Sequence, residues 1–559
     1  MSKKKNANII LEEYEDEFFY KKNKSNLKIE FNRVAFIFFV FLIISIIYSI
    51  QLLHLGSLKK NTDIIKSTVK KANYRADIID RNGNYLVKTV SSIDIGISPV
   101  DVIDKKKLLI NLKLIFPNKD YLEIKNKIDK GKFFKFENQI SPKNYEKIML
   151  LGDKSIRSEE QLTRIYPQKN LFSHIIGQID DNNNGISGIE KSFDKQLKSI
   201  KEPLKLTIDT DIQFLIREEL KKYQAIFKGK GSTAILMNVN NGEILSMVSY
   251  PDFDLNKRET LNDVNYINRA TKGVYELGSV FKTFTIAAGL DKGLIKPETE
   301  FINLEKKLNC GKSTITEYDN KIPSDITVEE ILIKSGNIGS VRIGQILEIE
   351  GLKSFLKKIG ILDKIDFDIE EVGLPIPFRW GKCKLATASF GHGITTTPLQ
   401  IAKAYAIISN GGFEINPTLI RNKSKNNKKR IIKQSTSETI NLILRKIVLE
   451  GTAKLANVSG YEVGGKTGTA NKSAKGGYSK KKINTFASIF PTSKPKFVLV
   501  ILMEETQINL DYIYEYRDGS GFKLKGSPRN TAGWTSVEVA GKIIERIGPI
   551  LATKYLEIN

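Results

Sequence analysis

From Val34 the chain reads VAFIFFVFLIISIIYSIQLL without one charged side chain. As a helix, about 20 apolar residues cross a hydrocarbon core of roughly 30 Å, and a soluble helix of that length normally carries a polar face. The run predicts a transmembrane helix over 34–55. A cleaved signal peptide fits less well, because the apolar run is too long and mostly polar residues 1–33 stand before it. Lys3, Lys4, Lys5, Lys21, Lys22, Lys24, Lys28 and Arg33 precede the run, while Lys59 and Lys60 follow it. This bias predicts a cytoplasmic tail over 1–33 and a body outside the membrane. No later segment is long enough to bring the chain back; FVLVILM from Phe497 suits a buried strand.

A length of 559 residues predicts two or three domains. The formal net charge of +25 comes from lysines spread along the chain. They seldom interleave with aromatic residues as a nucleic-acid groove requires, so no nucleic-acid partner is expected. The only cysteines, Cys310 and Cys383, lie far apart without CxxC spacing, so neither a zinc ribbon nor a disulfide scaffold is expected. The histidines His54, His174 and His392 are scattered, which leaves little for a metal site or a Ser-His-Asp triad. Serine chemistry here has to find another base.

Over 56–204 short strand-like runs alternate with lysine-rich helical stretches, one opened by Ser141 as cap and Pro142 as first helical residue. This predicts a non-catalytic α/β pedestal. Over 205–559 the texture changes: LKLTID reads as a strand, Asp211 opens an amphipathic helix, and a hairpin turns at Asn241-Gly242. Thr327 with Glu330, and Ser435 with Glu438, have capping-box spacing, and Thr397-Pro398 opens another helix. EVGGKTGTA, TFASIF and FVLVILMEE read as late strands before a closing helix. Helices clustered between an early hairpin and late strands predict one large α/β domain with an antiparallel sheet. The basic stretch from Lys472 to Lys482 reads as a solvated loop.

Three short motifs carry chemistry. In Ser279-Val280-Phe281-Lys282, helical spacing puts both polar side chains on one face. Burial among Phe281 and Phe284 would push the lysine toward neutrality, so that it can take the serine's proton. Ser335-Gly336-Asn337 offers a hydroxyl to pass a proton on and an amide to hold both a lysine and a substrate carbonyl. Lys466-Thr467-Gly468-Thr469, after Gly464-Gly465, reads as a strand along which a substrate lies as an added strand, with Lys466 and the threonines facing a carboxylate. Each motif alone is weak. Together, with Ser335 following Ser279 by 56 residues and Lys466 following Ser335 by 131, they form the known signature of class A β-lactamases and penicillin-binding proteins.

From Arg75 to the C-terminal helix the chain resembles a class B penicillin-binding protein of the cell-division type, FtsI-like. Arg75, Asp80-Arg81-Asn82-Gly83, Arg164-Ile165-Tyr166-Pro167, His174-Ile175-Ile176-Gly177 and Gly185-Ile186-Ser187-Gly188-Ile189-Glu190 carry the likeness in the pedestal, and ATASFGHGITTTPLQIAKAYA and VGGKTGTANK carry it in the second domain. It departs at Gln168, Leu277 and Gly336, none of them a catalytic group. The resemblance implies a penicillin-binding/β-lactamase-like fold after a dimerisation-type pedestal, and D,D-transpeptidation of peptidoglycan stem peptides through an acyl-enzyme on Ser279. Lys282 would be the base, Ser335 and Asn337 the shuttle and substrate contact, and Lys466, Thr467, Gly468 and Thr469 the donor-holding strand. The backbone N–H groups of Ser279 and Thr469 would form the oxyanion hole. It implies no cofactor and no metal, β-lactams as ligands, and as partners a membrane-embedded SEDS-type glycosyltransferase and other division proteins. The catalytic domain would lie in the periplasm, or outside the membrane. Rival readings are the elongation-type transpeptidase, a D,D-carboxypeptidase or β-lactamase, and a catalytically silent division scaffold. Against a β-lactamase, no Glu-x-x-Leu-Asn follows Ser335 to position a water.

Overall fold

A computed structural model describes residues 24–57, 74–257, 264–311, 313–421, 429–474 and 477–555. Helix α1, Lys24–Ser57, contains the expected span: Arg33–His54 is long and apolar enough to cross a membrane, and none of it is buried by other parts of the protein. At 1.5 Å per residue its 22 residues cover about 33 Å. The lysines up to Lys22 on one side, and Lys59 and Lys60 on the other, lie outside the described residues.

The rest forms one compact unit over 73–559. Its first part is built on β2 (Tyr85–Ile97), a strand long enough to serve two packing layers. One sheet joins β1 (Ile78–Ile79), β2, β3 (Phe134–Ile140), β4 (Ile156–Ile165) and β5 (Leu204–Lys205). β4 lies antiparallel along β2 from Lys88↔Ile165 to Ile97↔Ile156. The far half of β2 buries Ile95 and Ile97 against α2 (Lys105–Ile115), α3 (Tyr121–Asp129) and α4 (Pro142–Met149). Each helix starts where its sequence says: Asp104, Asp120 and Ser141 accept from backbone N–H groups of their first turns, and Pro142 follows Ser141.

At the near half of the sheet the separate blocks of the pedestal converge on one carboxylate. Glu190, fully buried, pairs with Arg75 Nε at 2.5 Å and with Arg164 Nε at 2.8 Å; Arg75 also reaches Asp194 at 2.6 Å. The Asp80 turn then fastens the pedestal to the second part. Asp80 accepts from the Thr210 hydroxyl at 2.6 Å, Asn82 donates to Asp209, and Arg81 pairs with Glu243.

Thr210 opens α5 (Thr210–Ile226), capped by Asp209 rather than by Asp211 as expected. Asp209 sits in extended conformation just before the first turn and accepts from the N–H groups of Asp211 and Ile212, so Asp211 is already helical. The main sheet has the order β12-β13-β14-β6-β7 and is antiparallel throughout, from β6 (Gly231–Asn238), β7 (Ile244–Tyr250), β12 (Gly464–Ala474), β13 (Gly477–Phe490) and β14 (Phe497–Glu504). Every residue of β14 is buried between the closing helix α12 (Ser536–Lys554) and α10 (Pro398–Ser409), while α5 packs on β6 and β7. A second helical cluster contains α6 (Phe281–Asp291), α7 (Val328–Ile333), α8 (Asn337–Lys358), α9 (Lys382–Ala388) and α11 (Gln434–Leu449). Short strands β8 (Glu300–Phe301) and β11 (Ile326–Thr327) pair with each other, and β9 (Lys307–Cys310) and β10 (Ser313–Thr316) form a separate hairpin.

Capping boxes form at Thr327/Glu330 and at Thr397/Gln400. The one expected at Ser435/Glu438 does not: α11 begins at Gln434 after Lys433, which puts Ser435 inside the first turn. In the stretch from Lys472 to Lys482, residues 472–474 and 477–482 continue strands β12 and β13 where a loop was expected, with Lys472 paired to Glu504 and Glu505 and Lys481 to Glu505. Lys475 lies outside the described residues.

Removing one partner of a buried ion cluster leaves charge without compensation, at about 3–5 kcal/mol. Glu190→Gln is therefore expected to lower the stability of the unit over 73–559 by that amount in urea unfolding. Arg75 and Arg164 would then face an amide inside the pedestal. An unchanged midpoint would mean that water reaches the cluster.

Candidate active site

Ser279 lies in a single 3-10 turn, Gly278–Val280, that leads into α6. Two glycines let this turn touch the edge strand β12. Gly278 has φ +64°, and a Cβ there would meet the Thr469 carbonyl oxygen at 2.9 Å; a Cβ on Gly468 would meet the Leu277 carbonyl at 2.1 Å. Any side chain at Gly468 would push strand and turn apart. The contact sets the backbone of Ser279 beside that of Thr469. Tyr405, from α10, props the turn from below by donating to the Val280 carbonyl at 3.1 Å.

One helical turn after Ser279, Lys282 is fully buried. Its Nζ donates to Asn337 Oδ1 at 2.7 Å, to Ser335 Oγ at 3.2 Å and to the Ser335 carbonyl. Ser335 can present both oxygens because it adopts φ +59° in the turn between α7 and α8, a left-handed conformation that costs energy for a residue with a side chain. Lys466 reaches the same hydroxyl from β12: its Nζ lies 2.9 Å from Ser335 Oγ and 3.1 Å from the Thr467 carbonyl. The three motifs thus meet at Ser335 Oγ.

Burial lowers Lys282 to about 7, against the opposing pull of Glu317. Lys466 is also pushed well below its ordinary value, first by burial and then by Lys282. Two ammonium groups on one buried hydroxyl repel each other, so a neutral amine is available near neutral pH. Such an amine can take a proton, and Ser335 lies where it can relay one.

A cavity of about 660 Å³ opens over this center. Ser279, Ser335, Asn337, Thr467 and Thr469 line it, with Tyr318, Asp319, His392, Lys454, Lys482, Arg529 and Trp534 further round. Lys282, Lys466 and Gly468 lie beneath its wall. Lys466 was expected to face a substrate carboxylate; its amine turns to Ser335 instead, while Thr467 and Thr469 present their side to the cavity. Thr467 and Thr452 share a hydroxyl hydrogen bond of 2.7 Å, and Thr469 Oγ1 accepts from the Ala532 N–H.

The motifs did not indicate Glu317. Its carboxylate accepts from the N–H groups of Asn337 at 2.6 Å and Ile338 at 2.8 Å, capping α8 with a charge at the positive end of the helix. Asn337 Nδ2 donates to the Thr316 carbonyl at 2.8 Å. Asn337 is therefore aimed at Lys282 by the β9–β10 hairpin, which is pinned in turn by a disulfide between Cys310 and Cys383 of α9, Cα–Cα 5.3 Å. The expectation of unpaired cysteines is corrected: 73 residues separate them in the chain, but β9 and α9 are neighbours around a small core of Ile315, Ile338, Val341 and Ala386. Nothing in the local sequence of either cysteine signals this.

Closing a loop of this length restricts the unfolded chain by about 4 kcal/mol. Cys310→Ser combined with Cys383→Ser is expected to lower the melting temperature and to slow acylation by penicillin, because Glu317 and Asn337 lose their tether. A double variant with wild-type stability and rate would show that the hairpin holds itself.

The Penicillin-binding Protein dimerisation domain family matches residues 70–225, and the Penicillin binding protein transpeptidase domain family matches residues 232–520. "Probable peptidoglycan D,D-transpeptidase FtsI" of Caulobacter vibrioides is 30% identical over 502 residues, covering 86% of this chain and 82% of the relative. Peptidoglycan D,D-transpeptidase FtsI of Escherichia coli is 27% identical over 78% of this chain and 80% of its own length. Stage V sporulation protein D of Bacillus subtilis is 28% identical over 78% of this chain and 75% of its own length. The chain belongs to the penicillin-binding protein transpeptidase family, as a class B member of FtsI-like type with a dimerisation domain ahead of the transpeptidase domain.

Proposed function

We propose that this protein is a peptidoglycan D,D-transpeptidase that acts from a single-pass membrane anchor, with its body outside the cytoplasmic membrane, in septum synthesis. The observation that carries the chemistry is the buried Lys282 amine, one turn after Ser279 and joined to Lys466 through Ser335 Oγ. Neutral Lys282 takes the Ser279 proton as the serine oxygen attacks the carbonyl of a D-Ala-D-Ala amide. The backbone N–H groups of Ser279 and Thr469 receive the oxyanion. The proton passes through Ser335 to the leaving nitrogen, the C–N bond breaks, and D-Ala departs, leaving the donor as an ester on Ser279. An amine of a neighbouring stem peptide then attacks that ester, and its proton returns along the same path. Thr467 and Thr469 hold the donor's terminal carboxylate, and Asn337 supports its backbone. Lys466 keeps Ser335 oriented through its hydrogen bond to Ser335 Oγ.

The septal role rests on relatives named FtsI. A membrane-embedded SEDS-type glycosyltransferase, supplying glycan strands whose peptides need cross-linking, is the partner that fits a class B enzyme in this work.

Fluorescent penicillin is expected to label the wild-type protein at midcell, and Ser279→Ala should abolish labelling. Lys282→Arg keeps the charge but cannot lose a proton, so labelling should fall by about 10²–10⁴-fold while the protein still inserts. A reporter active only in the cytoplasm, fused after the last residue, should stay silent. Normal labelling of Lys282→Arg would overturn the assignment of the base, and reporter signal would overturn the compartment.

A further inference from the structure

A peptide ending in D-Ala-D-Ala brings a carboxylate one residue beyond the bond to be cut, and hydroxyl groups alone neutralise no charge. Lys466 is poorly placed to do so at contact, since it is fully buried beneath the wall, with its amine on Ser335 Oγ and the Thr467 carbonyl. Among the described residues, three other lysine or arginine side chains line the cavity: Lys454, Lys482 and Arg529. Arg529 pairs with Asp319 at 3.5 Å, and Lys482 donates to Asn471 Oδ1 at 2.5 Å, two residues beyond Thr469 on the β12–β13 hairpin. Lys454 pairs with no carboxylate among the described residues. It stands two residues after Thr452, whose hydroxyl is bonded to that of Thr467 at 2.7 Å.

The direction of the donor selects among these three. A donor attached to polymer has one long end and one short end. Beyond Thr469 the β12–β13 hairpin grows more exposed, which gives the long end a track. The short end, with its carboxylate, then points back toward Thr467 and Thr452. We propose that Lys454 is the counter-cation for the donor's terminal carboxylate, and for the equivalent carboxylate of a β-lactam, completing a subsite with Thr467 and Thr469. This rests on the transpeptidase reading, and makes Lys454 a specificity-determining residue.

The test compares acylation rate constants for benzylpenicillin and its neutral methyl ester. Wild-type protein should prefer the acid, and Lys454→Gln should cut that preference by roughly 10- to 100-fold, the worth of a hydrogen bond to a charged group. Lys454→Arg should restore most of it, whereas Lys482→Gln should not reduce it. Acylation of Lys454→Gln by the ester reports that the variant is folded and competent. A preference unchanged in Lys454→Gln, or lost equally in Lys482→Gln, would overturn the assignment. Wild-type protein acylated by neither probe would overturn the transpeptidase reading itself, and this subsite with it.

Discussion

The site depends on two buried amines that share one hydroxyl. Lys282 and Lys466 come from a helix and from the far edge of the sheet, yet both donate to Ser335 Oγ. In water both would be charged. Inside the protein, desolvation and mutual repulsion work in one direction and free an amine to act as a base. That requires Ser335 in a strained left-handed conformation, Asn337 held by a capped helix, and a nucleophile turn pressed against β12 through Gly278 and Gly468. Each is an ordinary packing solution that makes sense only around the pair.

The periphery supports this arrangement. The disulfide, the β9–β10 hairpin and Glu317 form a chain of positioning that ends at Asn337. On the other side, Tyr405 fixes the first turn of α6. Further away, the buried cluster of Arg75, Arg164 and Glu190 orders the pedestal, and the Asp80 turn clamps it to the start of α5. The pedestal thus touches the elements behind the sheet, and among the described residues it contributes no side chain to the cavity lining.

What the sequence revealed follows the range of each signal. The apolar run needs only composition. The box at Thr327/Glu330 is visible because both partners lie within four residues, as is the helix start at Thr397-Pro398, and the box at Ser435/Glu438 misled because spacing does not say where the first turn starts. The three motifs were legible as a set through their order. The direction of Lys466 was not: successive strand residues face opposite sides, and only the assembled sheet shows that Thr467 and Thr469 take the cavity side. Glu317 lies 20 residues before Asn337 and the two cysteines lie 73 apart, distances over which no local pattern carries information.

The central claim is that a neutral Lys282 activates Ser279, and the pH dependence of the acylation rate constant tests it most directly. With Lys282 lowered to about 7, the neutral fraction grows as pH rises through that value. The rate constant for benzylpenicillin should therefore be small at pH 5, rise through about 7, and level off above pH 8. A rate constant that is flat from pH 5 to 9, or that begins to rise only near the ordinary lysine value of about 10.4, would contradict the account.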